Sequence, residues 1–300
     1  RLLSWQDTLL DQLASTDLLK DVGEIRVTIV DEPLALNGPI SPRLSVIAFL
    51  SLIGGVGIGG AIVYLLDLLD DRFRSPEELQ EQVGVPVLAM VRQLPVATAE
   101  APLHVQSAPN SVEAEAFRTL RTTLAFSADD RQRIAITSSE PGDGKTTVLA
   151  NLGASIAQGG KRTLLIDADL RSPGLSKLFQ IRRSEGLSNI LKSNEDVDVV
   201  CRGMVQTSMV DNLDVLPCGP RPADPAEALS SSRFSDIIAW AETHYDQVLI
   251  DCPPVLAASD AAIVGRLVDG VILVVQPEKN HRRLVIRAAE HLTALGVSEA

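Results

Sequence analysis

Ser138-Ser139-Glu140-Pro141-Gly142-Asp143-Gly144-Lys145-Thr146-Thr147 combines the residue types that hold phosphate: turn-forming glycines, a lysine, and hydroxyls at the start of a helix. The run before it, Arg133 to Thr137, is short and β-branched. The run after it, Lys145 to Gln158, has apolar residues at helical spacing (Val148, Leu149, Leu152, Ile156) and stops at Gly159-Gly160. Strand, glycine-rich turn, Gly-Lys-Thr, helix is the order in which loop amides and a helix N-terminus surround phosphate oxygens. Pro141, Gly142, Asp143, Gly144, Lys145, Thr146 and Thr147 are therefore the expected nucleotide-binding residues. Lys145 would neutralise the phosphates, and the Thr146 hydroxyl would reach Mg²⁺. Ser139 stands where the generic pattern has its first glycine, so that pattern is not fully met.

Two acidic strand ends supply partners for the loop. Thr163-Leu164-Leu165-Ile166-Asp167-Ala168-Asp169-Leu170-Arg171 closes an apolar run with carboxylates at i and i+2, which an extended strand points to one face. Val248-Leu249-Ile250-Asp251-Cys252-Pro253-Pro254 closes another, and its carboxylate can hold Mg²⁺ directly or through water. At the carboxyl ends of parallel strands such side chains meet the crevice where ligands bind. Either motif alone reads equally well as a cap for the next helix. The three together, in this order, specify a magnesium–nucleotide site.

The elements that position these residues follow from apolar patterning. Strands are expected near Arg162–Asp167, Leu213–Leu216, Gln247–Asp251 and Gly270–Val275, with helices between them, notably Ser232–Thr243 and His281–Leu295. Near-continuous apolar runs such as Val271 to Val275 suit a parallel sheet covered on both faces. Upstream, Leu44 to Leu66 carries no charge and is long enough to cross a bilayer core. Its five glycines would be costly in a soluble helix but let helices approach closely in lipid. Leu2–Leu19 reads as a helix and Glu24–Val30 as a strand, and Pro33, Pro39 and Pro42 keep the approach to the span extended. After the span, Ser75-Pro76-Glu77-Glu78 forms a capping box and Gly84 ends a short helix. Val85–Val91 has the apolar content of a short strand, and Leu94–Asn110 reads as a linker. Arg at position 1 and a helix running toward a strand at the last residues suggest a fragment of a longer protein.

Composition narrows the function classes. A net charge of −12 and a pI near 4.8 argue against nucleic acid as the main partner, since phosphate backbones need a basic face. The three cysteines form no C-x-x-C pair or His/Cys cluster, which argues against a disulfide scaffold, a zinc site or an iron–sulfur carrier.

The loop, the D-x-D-x-R strand end and the D-x-P-P strand end together resemble the bacterial tyrosine kinases. These are P-loop proteins related to the MinD and ParA ATPases. Further matches are Glu115-x-x-Arg118-x-x-Arg121, Gly186-Leu187-Ser188-Asn189-Ile190-Leu191, and Leu216-Pro217-Cys218-Gly219 with Pro225-Ala226-Glu227. Residues 24 to 95 resemble the second span and flanks of a polysaccharide co-polymerase, the chain-length determinant fused to such kinases. Glu140 replaces the signature lysine of MinD-type ATPases, which argues against a partitioning ATPase.

The resemblance implies a P-loop NTPase α/β fold, preceded by a transmembrane helix and the end of an extracytoplasmic α+β domain. The implied boundaries are 1–43 (extracytoplasmic), 44–66 (span), 67–110 (juxtamembrane segment and linker) and 111–300 (cytoplasmic kinase domain). It implies ATP and Mg²⁺ as ligands and transfer of the γ-phosphoryl group to tyrosine. Asp167 is the implied base and Lys145 the charge-neutralising residue, with Thr146, Asp169 and Asp251 at the metal; from sequence, Asp167 and Asp169 are interchangeable. Arg171 either pairs with these carboxylates, steers an incoming tail, or simply begins a helix. Glu115, Arg118 and Arg121 are implied to join subunits into a ring whose tyrosine-rich tails enter neighbouring sites; their spacing alone suits a solvated face. Tyr64 and Tyr245 read as packing residues, so acceptor tyrosines are expected beyond Ala300, as is the final strand. The implied setting is the bacterial inner membrane, beside the polysaccharide polymerisation and export machinery. The alternatives are a chain-length scaffold that binds ATP structurally and a membrane-tethered ATPase of the MinD type.

Overall fold

Apolar strands of this kind are buried only when helices cover both faces of their sheet. The computed structural model has that architecture and describes residues 7–13, 41–95, 102–126 and 131–294. The chain divides into two compact units, one running to Asp67 and the other from Leu68 onward. Residues 7–13 are helical. The remainder of the expected helix 2–19, the expected strand 24–30, and Pro33 and Pro39 lie outside the described residues.

The apolar stretch forms the helix Leu44–Leu69, 26 residues with none buried. At ~1.5 Å per residue it is about 39 Å long, enough for a ~30 Å hydrocarbon core. It runs three residues past the uncharged stretch and takes Asp67 into its last turns.

In the second unit a six-stranded sheet comprises β1 (Arg133–Ser138), β2 (Thr163–Asp167), β3 (Gln206–Thr207), β4 (Leu213–Leu216), β5 (Gln247–Asp251) and β6 (Gly270–Val274). Its order is β3-β4-β2-β5-β1-β6. All neighbours are parallel except β3 and β4. Alternate strand residues serve opposite faces. Leu164 and Ile166 join Leu216, Val248 and Ile250 in one core, which also takes in Phe234, Ile237 and Ala241 from the helix Ser232–His244. Leu165 joins Ile134, Ile136, Val215 and Leu249 in the other, beneath the helices Val112–Phe126 and Lys145–Gln158. Burying one Leu or Ile side chain fully is worth about 1.5–3 kcal/mol of transfer free energy, which favours covering both faces of the sheet.

Two motifs that looked unrelated in sequence touch in the fold. The amides of Leu187 and Ser188 donate to the carbonyls of Pro217 and Cys218 at 2.8 and 2.9 Å. A Cβ on Gly186 would collide with the Pro217 carbonyl, so glycine is required there by close approach.

The helix Pro76–Val83 starts as expected, with Ser75 Oγ accepting from the Glu78 amide at 3.2 Å. The reciprocal bond is displaced by one residue: Glu78 accepts from the Arg74 amide at 3.0 Å. Gly84 ends the helix at φ 80°. The expected strand 85–91 pairs with no strand among the described residues. Leu88, Ala89, Val91 and Leu94 instead pack by their side chains against the second core. Arg282, at the start of the helix Arg282–Ala294, fastens this segment. Its amide donates to the Asp71 carbonyl at 2.7 Å and its guanidinium to the Arg72 carbonyl at 2.9 Å. The same guanidinium pairs with Glu78 and lies 5.5 Å from the ring centre of buried Phe73.

Candidate nucleotide site

Because β1 lies beside β5 and β5 beside β2, the loop after β1 meets the carboxyl ends of both acidic strands. Asp167 and Asp251 stand in register on adjacent strands. Lys145, first residue of its helix, forms ion pairs with Asp169 at 2.7 Å and Asp251 at 3.3 Å. The Thr146 hydroxyl donates to the other Asp251 oxygen at 2.6 Å. Asp169 also accepts from the Ser172 amide at 2.8 Å, and Asp167 Oδ2 from the Leu175 amide at 3.1 Å. Asp167 Oδ1 is buried without a hydrogen-bond partner. Gly174 sits so close to Thr146 that a Cβ there would lie 2.8 Å from its methyl carbon.

All three carboxylates are essentially removed from solvent, which sets the electrostatics. Burial, followed by the charge of Asp251, pushes the Asp167 pKa well above the usual carboxylate range. Burial also raises Asp251, partly offset by the Lys145 charge and the Thr146 hydrogen bond. For Lys145 burial acts to lower the pKa, but the Asp251 and Asp169 charges outweigh it and hold the ammonium above its ordinary value. A buried cluster with more carboxylate than ammonium is a place that favours added positive charge.

The loop itself fits phosphate. Gly142 and Gly144 take left-handed φ angles of 82° and 87°, open only to residues without a Cβ penalty. Nothing lies within 4 Å of where a Gly144 Cβ would stand. Gly144 carries no side chain to cap the 14-residue helix that follows, so the first-turn amides, which any helix leaves without an intrahelical partner, meet no side-chain cap there. A cavity of about 670 Å³ beside the loop is lined by Leu88, Val91, Gly142, Thr147, Val274 and Leu292, among others. Among the described residues no trio of His, Cys, Asp and Glu is arranged to chelate a metal unaided. Mg²⁺ is commonly held by one or two carboxylates together with substrate phosphates, and Asp169 and Asp251 stand together around Lys145.

The fold thus brings together Lys145, Thr146, Asp167, Asp169 and Asp251, along with Pro141, Gly142, Asp143, Gly144 and Thr147 of the loop. Arg171 is turned elsewhere: it makes a two-pronged bond to fully buried Asp260, at 2.9 and 3.0 Å. Glu115, Arg118 and Arg121 lie apart from this cluster on the helix Val112–Phe126. Glu115 and Arg118 pair with each other at 2.7 Å, while Arg121 donates to the Ser155 carbonyl at 2.6 Å. Asp260, Lys279 and Asn280 escaped the sequence reading. The only available signal was their place, a few residues beyond strands that end at the same edge as the loop.

Residues 131–283 match the AAA domain family. Tyrosine-protein kinase YwqD of Bacillus subtilis is 41% identical over 186 residues, covering 61% of this chain and 77% of that protein. Tyrosine-protein kinase wzc of Salmonella typhimurium is 35% identical over 282 residues, covering 89% of this chain but 38% of that protein. The kinase domain of the Escherichia coli tyrosine kinase ETK superposes with a TM-score of 0.69 at 33% identity, covering 75% of this chain and 90% of that domain.

Proposed function

This chain belongs to the bacterial tyrosine kinases, and from that premise we propose that it is a membrane-anchored, ATP-dependent protein-tyrosine kinase serving capsule or exopolysaccharide polymerisation and export. The observation that carries the reading is the convergence of Lys145, Thr146, Asp167, Asp169 and Asp251 at one end of the sheet. In this reading residues 44–66 span the inner membrane and 1–43 lie outside it. The expected linker before residue 111 is corrected: Leu88, Val91, Leu103 and Val105 pack in the same core as the helix Val112–Phe126, and the compact cytoplasmic unit begins at Leu68.

Loop residues 141–147 would hold the triphosphate of ATP, and Thr146, Asp169 and Asp251 would hold Mg²⁺. The bound ion supplies charge neutralisation at the phosphates. Lys145 adds a second positive charge, and catalysis is largely positioning and electrostatics. Asp167 serves as base toward the tyrosine hydroxyl. Both Asp169 oxygens are engaged, by Lys145 and by the Ser172 amide, whereas Asp167 Oδ1 is free to accept a proton. Burial raises the Asp167 pKa, the Lys145 charge opposes that rise, and a bound Mg²⁺ would oppose it further, so the carboxylate would become available as a base once the ion is in place. The acceptor is a tyrosine other than Tyr245, whose hydroxyl donates to Asp214 at 2.9 Å and whose pKa is driven up, chiefly by burial.

The test is phosphate incorporation from labelled ATP into a tyrosine-rich peptide by the full chain in detergent. Lys145→Met should abolish labelling and leave membrane insertion intact. Undiminished labelling would remove the kinase reading. ATP hydrolysis without transfer would favour an ATP-using scaffold.

A further inference from the structure

The segment from Gln276 to Asn280, which follows β6, is fastened to the phosphate loop by a network centred on Asp143. The Asp143 side chain is fully buried. From within the loop it accepts from Ser139 Oγ at 3.2 Å and the Glu140 amide at 2.9 Å. From outside it accepts from Lys279 Nζ at 2.8 Å and Asn280 Nδ2 at 3.0 Å. Lys279 Nζ also donates to the Pro141 carbonyl at 2.6 Å, and Asn280 Nδ2 to the Glu140 carboxylate at 2.9 Å. Asn280 is itself fully buried and oriented by the Gln276 amide, which donates to its Oδ1 at 2.7 Å.

Two physical consequences follow. A buried carboxylate in a phosphate-binding loop repels the anion that loop exists to receive, and low dielectric strengthens the repulsion. Lys279 cancels that charge where it arises. The loop also contains two left-handed glycines, which supply conformational freedom and no constraint. Its shape must therefore be imposed by neighbours, and bonds from Lys279 and Asn280 to Pro141, Glu140 and Asp143 impose it.

We propose that Lys279 and Asn280 are positioning residues for ATP: they brace the phosphate loop in its accepting shape and neutralise Asp143. They thereby set nucleotide affinity rather than the rate of transfer. This rests on the nucleotide reading of the loop.

The experiment uses the full chain in detergent, titrated with a fluorescent ATP analogue and Mg²⁺, with KM and kcat measured on a tyrosine-rich peptide. Lys279→Gln should weaken analogue binding and raise KM for ATP about tenfold, the loss of one charge-assisted contact. Its kcat should stay within about twofold, since the contact acts on binding. Lys279→Arg should restore affinity. Asp143→Asn placed in the Lys279→Gln chain should recover much of it, because no uncompensated carboxylate then remains. Wild-type affinity in Lys279→Gln, or no recovery in the double variant, overturns the proposal. A folded wild-type chain that binds no analogue at all would instead take down the nucleotide reading, and the wild-type curve separates the two failures.

Discussion

Asp167 is in tension with its surroundings at the level of a single side chain. Its carboxylate is buried beside two others, one of its oxygens lacks a partner, and its pKa is raised, first by burial and then by Asp251. A carboxylate raised in this way binds its proton more tightly in the folded state than in the unfolded one. Stability therefore falls as pH rises from the ordinary value of 3.8 to the folded value of about 8, a window in which the unfolded chain has released a proton that the folded chain keeps. Asp167→Asn removes that cost, so near neutral pH the variant should melt at a higher temperature than the parent, by an amount worth at least about 1 kcal/mol. The same change removes the base, and transfer to tyrosine should fall by roughly 10²–10⁴-fold. Stability lost together with activity would make Asp167 a structural residue. Asp169→Asn should behave differently, because it deprives Lys145 of an ion pair at 2.7 Å and so should not gain stability.

Arg282 contacts Asp71, Arg72, Phe73 and Glu78, so one side chain holds the segment before and within the helix Pro76–Val83. Arg282→Ala should cost about 1–3 kcal/mol from the lost charged hydrogen bonds and the ring contact. Hydrogen exchange should quicken at residues 71–83 and stay unchanged in the helix Leu187–Lys192; uniform quickening would mean that the substitution loosens the whole domain. This clamp was not legible in the sequence, and the reason is instructive. Strands β2, β4 and β5 could be read to within a residue because both sheet faces demand apolar side chains, and the helix Lys145–Gln158 because its glycines punctuate it. The two residues of β3 are too few to show a period. The stretch 85–91 has the apolar content of a strand, yet it reaches the core through Leu88 and Val91 without joining the sheet. In the site, the loop and the aspartates announced themselves by residue type. Lys279, Asn280 and Asp260 did not, because their value comes from contacts between positions about 90 to 140 residues apart along the chain.

For the whole molecule, self-association has to overcome a net charge of −12 per chain. Any assembly therefore depends on local complementarity, and phosphorylation, at about −1.5 to −2 charges per tyrosine, would loosen it. The helix Val112–Phe126 supplies the candidate face, but its three charged residues are not equivalent. Arg121 already serves its own chain, donating to the Ser155 carbonyl. Replacing it with Ala should lower stability by about 1–2 kcal/mol, since the bond is charge-assisted and partly buried. Glu115 is 66% exposed at its side chain, and its partner Arg118 also reaches the Pro109 carbonyl. As a solvated pair within one helix they are worth only about 0.3 kcal/mol. If subunits instead meet across this face, Glu115→Ala with Arg118→Ala should reduce the mass measured by analytical ultracentrifugation in detergent while the melting temperature barely moves. An unchanged mass, with the same small effect on melting, would assign the pair to solvent and move the search for the subunit contact to another face.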